Sequence, residues 1–339
     1  MVSQNFYKLI ILSIFFCVCL LNNSSFASKK IDYIQPVTQP YIFSKNKPTS
    51  KMEALGRVLF FDVRLSGNNK MSCASCHQPD KFWTDGLKTG KGLDGIKLLR
   101  ATPTLINAAY NTKQFWDGRA LSLEQQSTMP IESPLEMNQK LDNLVIELKQ
   151  IPGYVKLFKN VFNDKQISKP NIGRAIGAFQ RTLISKNTDF DRWYAGDESA
   201  MGDSAKRGFK LFENKAECVK CHSGFNFTDN KFHNIGLKIT DYGKDLGRYE
   251  IDKQEKMKYA FKTPSLRNVT KTPPYMHNGI YTTMTEVIEH YNRGGDNKIN
   301  LNKNINELNL TKQEIEDIIA FLETLVETVS VAIPQTFPQ

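Results

Sequence analysis

Two five-residue motifs carry the chemistry of this chain, Cys73-Ala74-Ser75-Cys76-His77 and Cys218-Val219-Lys220-Cys221-His222. The other two of its six cysteines, Cys17 and Cys19, lie in an N-terminal apolar run. In an exported chain four cysteines alone read as a disulfide framework. That reading leaves unexplained the His that follows each pair, and the chain has only five His. A redox C-x-x-C has no use for that His, and zinc requires closer partner ligands. Covalent c-type haem accounts for the whole motif. Two thioethers hold the porphyrin edge, and the next residue lies under the iron as proximal imidazole. Two covalently bound haems c are therefore expected, attached at Cys73, Cys76, Cys218 and Cys221, with His77 and His222 as iron ligands.

The elements that position these motifs occur twice. An amphipathic segment precedes each one, Leu55-Gly56-Arg57-Val58-Leu59-Phe60 and Gly208-Phe209-Lys210-Leu211-Phe212. An aromatic followed by Thr84-Asp85 or Thr228-Asp229 comes after. Thr102-Pro103-Thr104-Leu105-Ile106-Asn107 matches Thr263-Pro264-Ser265-Leu266-Arg267-Asn268, an offset of 161 (Thr102 to Thr263). The offset continues without a gap, pairing Trp116 with His277 and Gly118 with Gly279. Each half closes with helical periodicity. Pro170 opens Ile172, Ala175, Ile176, Phe179 and Leu183; a Thr311/Glu314 capping box precedes Ile315, Ile318, Ile319, Leu322 and Val326. The fold class is mainly α, two tandem cytochrome c-like domains, each with one covalently bound haem.

Leu9 to Leu21 is a run apolar at every position but Ser13, behind a short segment with one Lys, and Ser25-Phe26-Ala27 offers a cleavage site. This reads as a secretory signal peptide cut near Ala27, too short to span a bilayer. It implies a periplasmic protein, free of the membrane once cleaved. The length of 339 residues suits two domains. A 40% apolar content excludes a disordered chain. The net charge of +10 suits an acidic protein partner and is too dispersed to indicate nucleic acid.

The sixth position of each iron decides its use, because two protein ligands make an electron carrier and an open face admits peroxide. By the constant offset Tyr291 falls opposite Pro130. A phenol oxygen ligates haem iron and a proline side chain does not. No His lies between His77 and His222. The first haem is expected open and the second closed, with Met276, Met284 and His290 as rivals of Tyr291 for the closing ligand.

In the order of its motifs the chain resembles the bacterial diheme cytochrome c peroxidase superfamily over roughly residues 50 to 330. The resemblance rests on the segments named above and on Phe115-Trp116-Asp117-Gly118-Arg119, Pro130 to Met137, Phe232-His233-Asn234-Ile235-Gly236 and Pro274-Tyr275-Met276-His277-Asn278-Gly279. It implies that the first haem is peroxidatic, that Glu136 is its distal acid/base, and that Gln126 and Pro130 line its pocket. It also implies that Trp116 lies on the electron route and that Tyr291 is the second ligand of the second haem. The expected organisation is a signal peptide at 1–27, an N-terminal extension at 28–48, a peroxidatic haem domain at 49–195 and an electron-transfer haem domain at 196–333. Two departures, no His between Gly90 and Arg100 and Tyr291 in place of Met, are similar to the MauG branch. A calcium typical of the family would take Thr272 and Pro274, but Ala101 stands where a ligating Asn is expected.

The leading expectation is a periplasmic oxidoreductase of the cytochrome-c peroxidase type. Hydrogen peroxide is the acceptor, and electrons come from a small redox protein, a cytochrome c or cupredoxin. Glu136 moves the proton between the peroxide oxygens with Gln126 as its orienting partner. The alternative is MauG-like oxidation of a partner protein's side chains, and a non-catalytic diheme electron carrier is a third reading. His233 is expected to be structural and His277 to hydrogen-bond near haem. Arg267 is expected between the haems or on a propionate, and Lys244 to Lys262 as a solvated loop.

Overall fold

The structure is a computed structural model that describes residues 32–33, 47–163, 167–239 and 245–339. The expected signal peptide and most of the N-terminal extension lie outside the described residues. Helices dominate. The first half contains α1 (Ser50–Phe61), α2 (Cys73–Cys76), α3 (Leu123–Glu132), α4 (Leu141–Lys149), α5 (Pro152–Phe162) and α6 (Lys169–Gln180). There follow α7 (Asp189–Tyr194), α8 (Asp203–Glu213), α9 (Tyr249–Asp252), α10 (Met284–Asn292) and α11 (Lys312–Glu323). Among the described residues the only sheet is a short antiparallel pair, β1 (Phe232–His233) with β2 (Phe261–Lys262). No helix among them is long and apolar enough to cross a membrane.

Each half is organised by one close helix crossing. Leu55, Gly56, Leu59 and Phe60 fall on a single face of α1 and bury against α6. The backbones approach so closely that a Cβ on Gly56 would lie 1.8 Å from the Ala175 carbonyl oxygen. α8 and α11 repeat this, with Gly208 in the same relation to the Asp317 carbonyl, again at 1.8 Å. Only glycine fits there, so the amphipathic segment before each haem motif carries one.

The duplication is also written in the contact between the halves. Ala101 donates its N–H to the His277 carbonyl at 2.7 Å, and Lys262 donates its N–H to the Trp116 carbonyl at 2.8 Å. These four residues are two pairs at the constant offset, so each bond is the other with the halves exchanged. The expected Thr311/Glu314 capping box is present. α11 stops at Glu323, however, and Val326, expected on its apolar face, lies beyond the Thr324 C-cap. There the chain turns, and Leu325 is the buried residue, its carbonyl accepting the Asn268 N–H.

The ends of the described chain cross over. The tail after α11 returns to the first half, where the Val329 carbonyl accepts the Trp83 indole N–H at 3.2 Å and the Gln339 carbonyl accepts the Gly153 N–H at 2.8 Å. Conversely Tyr33 is buried against Phe190 of α7 and against Phe209 and Phe227 of the second half.

Candidate active site

In the first half Ser72 caps α2, a single turn that turns Cys73, Cys76 and His77 toward one cavity of about 390 Å³. His77 donates through Nδ1 to the Trp83 carbonyl at 3.1 Å, which leaves Nε2 as the nitrogen with a lone pair. Burial also keeps this imidazole neutral by lowering its pKa. The same burial pushes the Cys73 and Cys76 thiols up to about 12, and none of the four motif cysteines is in a disulfide. The donor set therefore fits a c-type haem: two un-ionised thiols for thioethers, a neutral imidazole with its outer nitrogen fixed, and an adjoining cavity. His222 repeats the pattern, with Nδ1 on the Phe227 carbonyl at 2.9 Å and its pKa lowered by burial.

The opposite wall of the first cavity is built by α3 and the turn that follows it. Ser122 caps α3, and helical spacing puts Gln126 and Pro130 on the face that lines the cavity. Beyond the helix, Met137 N–H bonds to the Pro130 carbonyl and Gln139 N–H to the Ile131 carbonyl, folding the chain back. That fold-back brings Glu136 to the cavity wall, fixed by the Leu93 N–H on its carbonyl at 2.8 Å. A Cβ on Gly92 would lie 1.6 Å from the Leu135 carbonyl oxygen, so glycine is required beside it. Glu136 is half-buried in a turn and does not start a helix. Gln126 accepts a long hydrogen bond, 3.4 Å, from Gln180 at the end of α6. His77 is the only imidazole on this cavity's wall among the described residues.

Trp116 lines the same cavity, where the two halves meet. Its indole N–H donates to the Ala101 carbonyl at 2.9 Å, and its ring lies edge-on to His277 with centroids 6.5 Å apart. His277 is stacked on Phe261 at 3.5 Å. Arg100 ties the junction by bonding Asp117 and Asp245 together. Lys262 also lines the cavity from the second half. It is buried in β2 and not part of a solvated loop as expected, and burial lowers its ammonium to about 8 against the opposing pull of Asp229. Ala101 offers a calcium only a methyl group in place of the expected amide.

At the second motif the Tyr291 phenol is close enough to Cys218 and Cys221 that both raise its pKa, after the larger effect of burial. Its hydroxyl makes no hydrogen bond to any described residue. The adjacent His290 is fully engaged: Nε2 donates to the Ile235 carbonyl at 2.9 Å, and Nδ1 accepts from the Tyr281 hydroxyl at 3.0 Å. His233 is held by Asp229 at 2.8 Å and Asn302 at 2.7 Å. Arg267 does not line the first cavity. It is buried on Asp191, both bonds at 2.8 Å, and on the Phe225 carbonyl at 2.7 Å. The T-P-S-L-R-N match to the first half gave no hint of this, because Ile106 takes the equivalent place there.

Comparison with known proteins gives matches in both halves. Residues 50–199 match the model of the family described as di-haem cytochrome c peroxidase, and residues 205–326 match that of cytochrome c. The chain is 44% identical to the methylamine utilization protein MauG of Methylorubrum extorquens, over 91% of this chain and 88% of that one. The chain belongs to the di-haem cytochrome c peroxidase family. Another member, cytochrome-c peroxidase IdrP1 of Denitromonas iodatirespirans, is 36% identical over 92% of this chain and 91% of its own. Among solved structures, a MauG-like protein associated with microbial copper homeostasis has a TM-score of 0.80 at 30% identity, covering 86% of this chain and 94% of that one. Membership makes this di-haem protein a peroxidase-type oxidoreductase of two cytochrome c-like domains, and implies two c-type haems.

Three residues at this site carried no sequence signal. Gln180 ends an otherwise apolar helix face, Lys262 directly precedes the repeated Thr-Pro motif, and Arg100 pairs with two carboxylates far away in sequence. Only tertiary contacts give them a place at the cavity or its junction.

Proposed function

We propose that this protein uses hydrogen peroxide at the first cavity to oxidise side chains of a partner protein, in the MauG-like manner. The observation that carries this reading is the asymmetry of the two motifs. A phenol stands beside Cys218 and Cys221, whereas Glu136, Gln126 and Pro130 face His77 with no second imidazole among the described residues. Met-ligated haem has a raised potential, and a phenolate favours ferric and higher states. The second site is then poorly suited to take electrons from a small carrier, which reverses the order in which the sequence ranks the two readings. The 44% identity to MauG supports the same choice. Electron supply by a small cytochrome or cupredoxin is the second reading, favoured by the 36% identity to a cytochrome-c peroxidase.

When bound, a haem would supply iron that exchanges single electrons and reacts with peroxide. Cys73, Cys76, Cys218 and Cys221 form the thioethers. His77 and His222 would each offer Nε2 to an iron, and the Tyr291 oxygen would be a second donor at its site. The Glu136 carboxylate would move a proton from one peroxide oxygen to the other, the work of a positioned general acid–base. Gln126, its Oε1 on Gln180, directs its own N–H groups to peroxide. Pro130 lines the face without donating a ligand. Trp116, ring against His277, couples the two halves. The apolar N-terminus and the cleavage site at Ala27 support export to the periplasm, with haem domains at 49–195 and 196–333.

The distinguishing experiment is steady-state peroxide reduction with reduced cytochrome c as donor. Negligible turnover, together with an oxidised spectrum that outlasts the addition of one equivalent of peroxide, is expected. Rapid turnover would establish the small-carrier reading instead.

A further inference from the structure

The proximal side of the second site opens onto a chain of aromatic rings that the function above does not use. The Phe227 carbonyl holds His222, and the Phe227 ring is stacked on Tyr33 with centroids 5.1 Å apart. Tyr33 contacts Tyr194 at 5.5 Å, and Tyr194 contacts Trp193 at 6.3 Å. The surrounding rings, Phe190, Phe209 and Phe321, pack against this line and against one another. Phenylalanine does not yield an electron at biological potentials; tyrosine and tryptophan do. The three oxidisable rings of the cluster are contiguous and run from a buried residue, Tyr33, to the half-buried Trp193.

Proton acceptors stand at both ends. The Tyr33 hydroxyl donates to Glu213 Oε1 at 3.3 Å, and the Trp193 indole N–H donates to Glu198 Oε2 at 3.2 Å. A phenol that loses an electron becomes a strong acid and has to release its proton. In a buried site that release requires a carboxylate within hydrogen-bond reach. Burial, and then Glu213, hold the Tyr33 pKa above its ordinary value, so the resting group is the phenol and electron loss is coupled to proton loss.

We propose that Tyr33, Tyr194 and Trp193 form an exit along which oxidising equivalents travel from the second site to the surface at Trp193. The proposal rests on the peroxide-driven function above. Hydrogen peroxide is the oxidant, and it takes two electrons and two protons to become two waters. Electrons leave Tyr33 one at a time, and the phenolic proton passes to Glu213, leaving a neutral tyrosyl radical. Tyr194 and Trp193 refill Tyr33, and Glu213 returns the proton. The electrons come finally from phenol or indole side chains of the partner docked at Trp193. Two such one-electron oxidations, each releasing a proton, balance one peroxide.

The test is rapid-freeze electron paramagnetic resonance of the ferric holoenzyme after one equivalent of hydrogen peroxide, with ring-deuterated tyrosine incorporated. Wild type is expected to give an organic radical that deuteration narrows, lost in Tyr33→Phe and longer-lived in Trp193→Phe. Peptide mass spectrometry after repeated peroxide additions without partner is expected to find oxygen added at Trp193, and none in Tyr33→Phe. Glu213→Gln, which keeps every ring, is expected to lose the radical as well, and serves if Tyr33→Phe fails to fold. Iron signals that respond to peroxide, with a radical and Trp193 oxidation unchanged by Tyr33→Phe and Glu213→Gln, would overturn this inference alone. Iron signals that ignore peroxide would overturn the proposed function with it.

Discussion

Glu136 is the only carboxylate on the first cavity's wall that is free of an ion pair with a described cation, since Asp117 is bound by Arg100 and Arg119. Glu136→Gln is therefore expected to leave haem content intact and to slow the reaction with peroxide by ~10² or more, measured by stopped-flow absorbance. An unchanged rate would remove the proton-transfer role. At the other site, Tyr291→Met is expected to raise the potential of the second haem, read by spectroelectrochemistry, because thioether ligation favours the reduced iron more than phenolate does. The two positions were legible to different degrees. Both C-x-x-C-H motifs are local, and their chemistry is fixed by adjacent residues. Tyr291 emerged from the repeat register and from the family resemblance, while the engagement of its rival His290 with Ile235 and Tyr281 is seen only once the chain folds.

Helix crossings govern how rigidly the motifs are held. On α11 Asp317 accepts from Ser204 and Arg207 of α8, and Arg207 draws its carboxyl down to about 2 from 3.8. Because the folded value is depressed, the linkage is fully stabilising above about pH 4 and is lost as pH falls through about 2. The destabilisation caused by Asp317→Asn should accordingly shrink toward pH 2 in denaturant titrations; a penalty independent of pH would contradict the assignment. Gly208→Ala places a methyl where the Asp317 backbone already lies and is expected to cost about 1–3 kcal/mol, seen as a lower unfolding midpoint. The helices themselves were legible from apolar spacing and caps. The end of α11 was not: Val326 keeps the apolar period, yet the chain leaves the helix at Thr324 so that Leu325 can pair with Asn268. Periodicity does not register a stop that is imposed by a tertiary partner.

At the scale of the whole molecule, the crossed ends bind each half to the other's core. Removing residues 328–339 deletes the Val329 bond to Trp83 and the Gln339 bond to Gly153. Hydrogen exchange should then accelerate in α1, α5 and α6 and not in α8 and α11; a uniform change would mean that the tail has no preferred half. These crossings escaped the sequence because an extended tail carries neither periodicity nor a motif, and Tyr33 is a single aromatic in a polar stretch. What the sequence did expose at this scale is the duplication, now seen as the exchanged Ala101–His277 and Lys262–Trp116 bonds. On the proposed reading, function depends on the duplication being broken at Pro130 and Tyr291. Electron paramagnetic resonance of the ferric protein as isolated reads that break directly. One high-spin and one low-spin centre are expected, with only the high-spin signal shifted by cyanide. Two low-spin centres, both indifferent to cyanide and peroxide, would contradict the account.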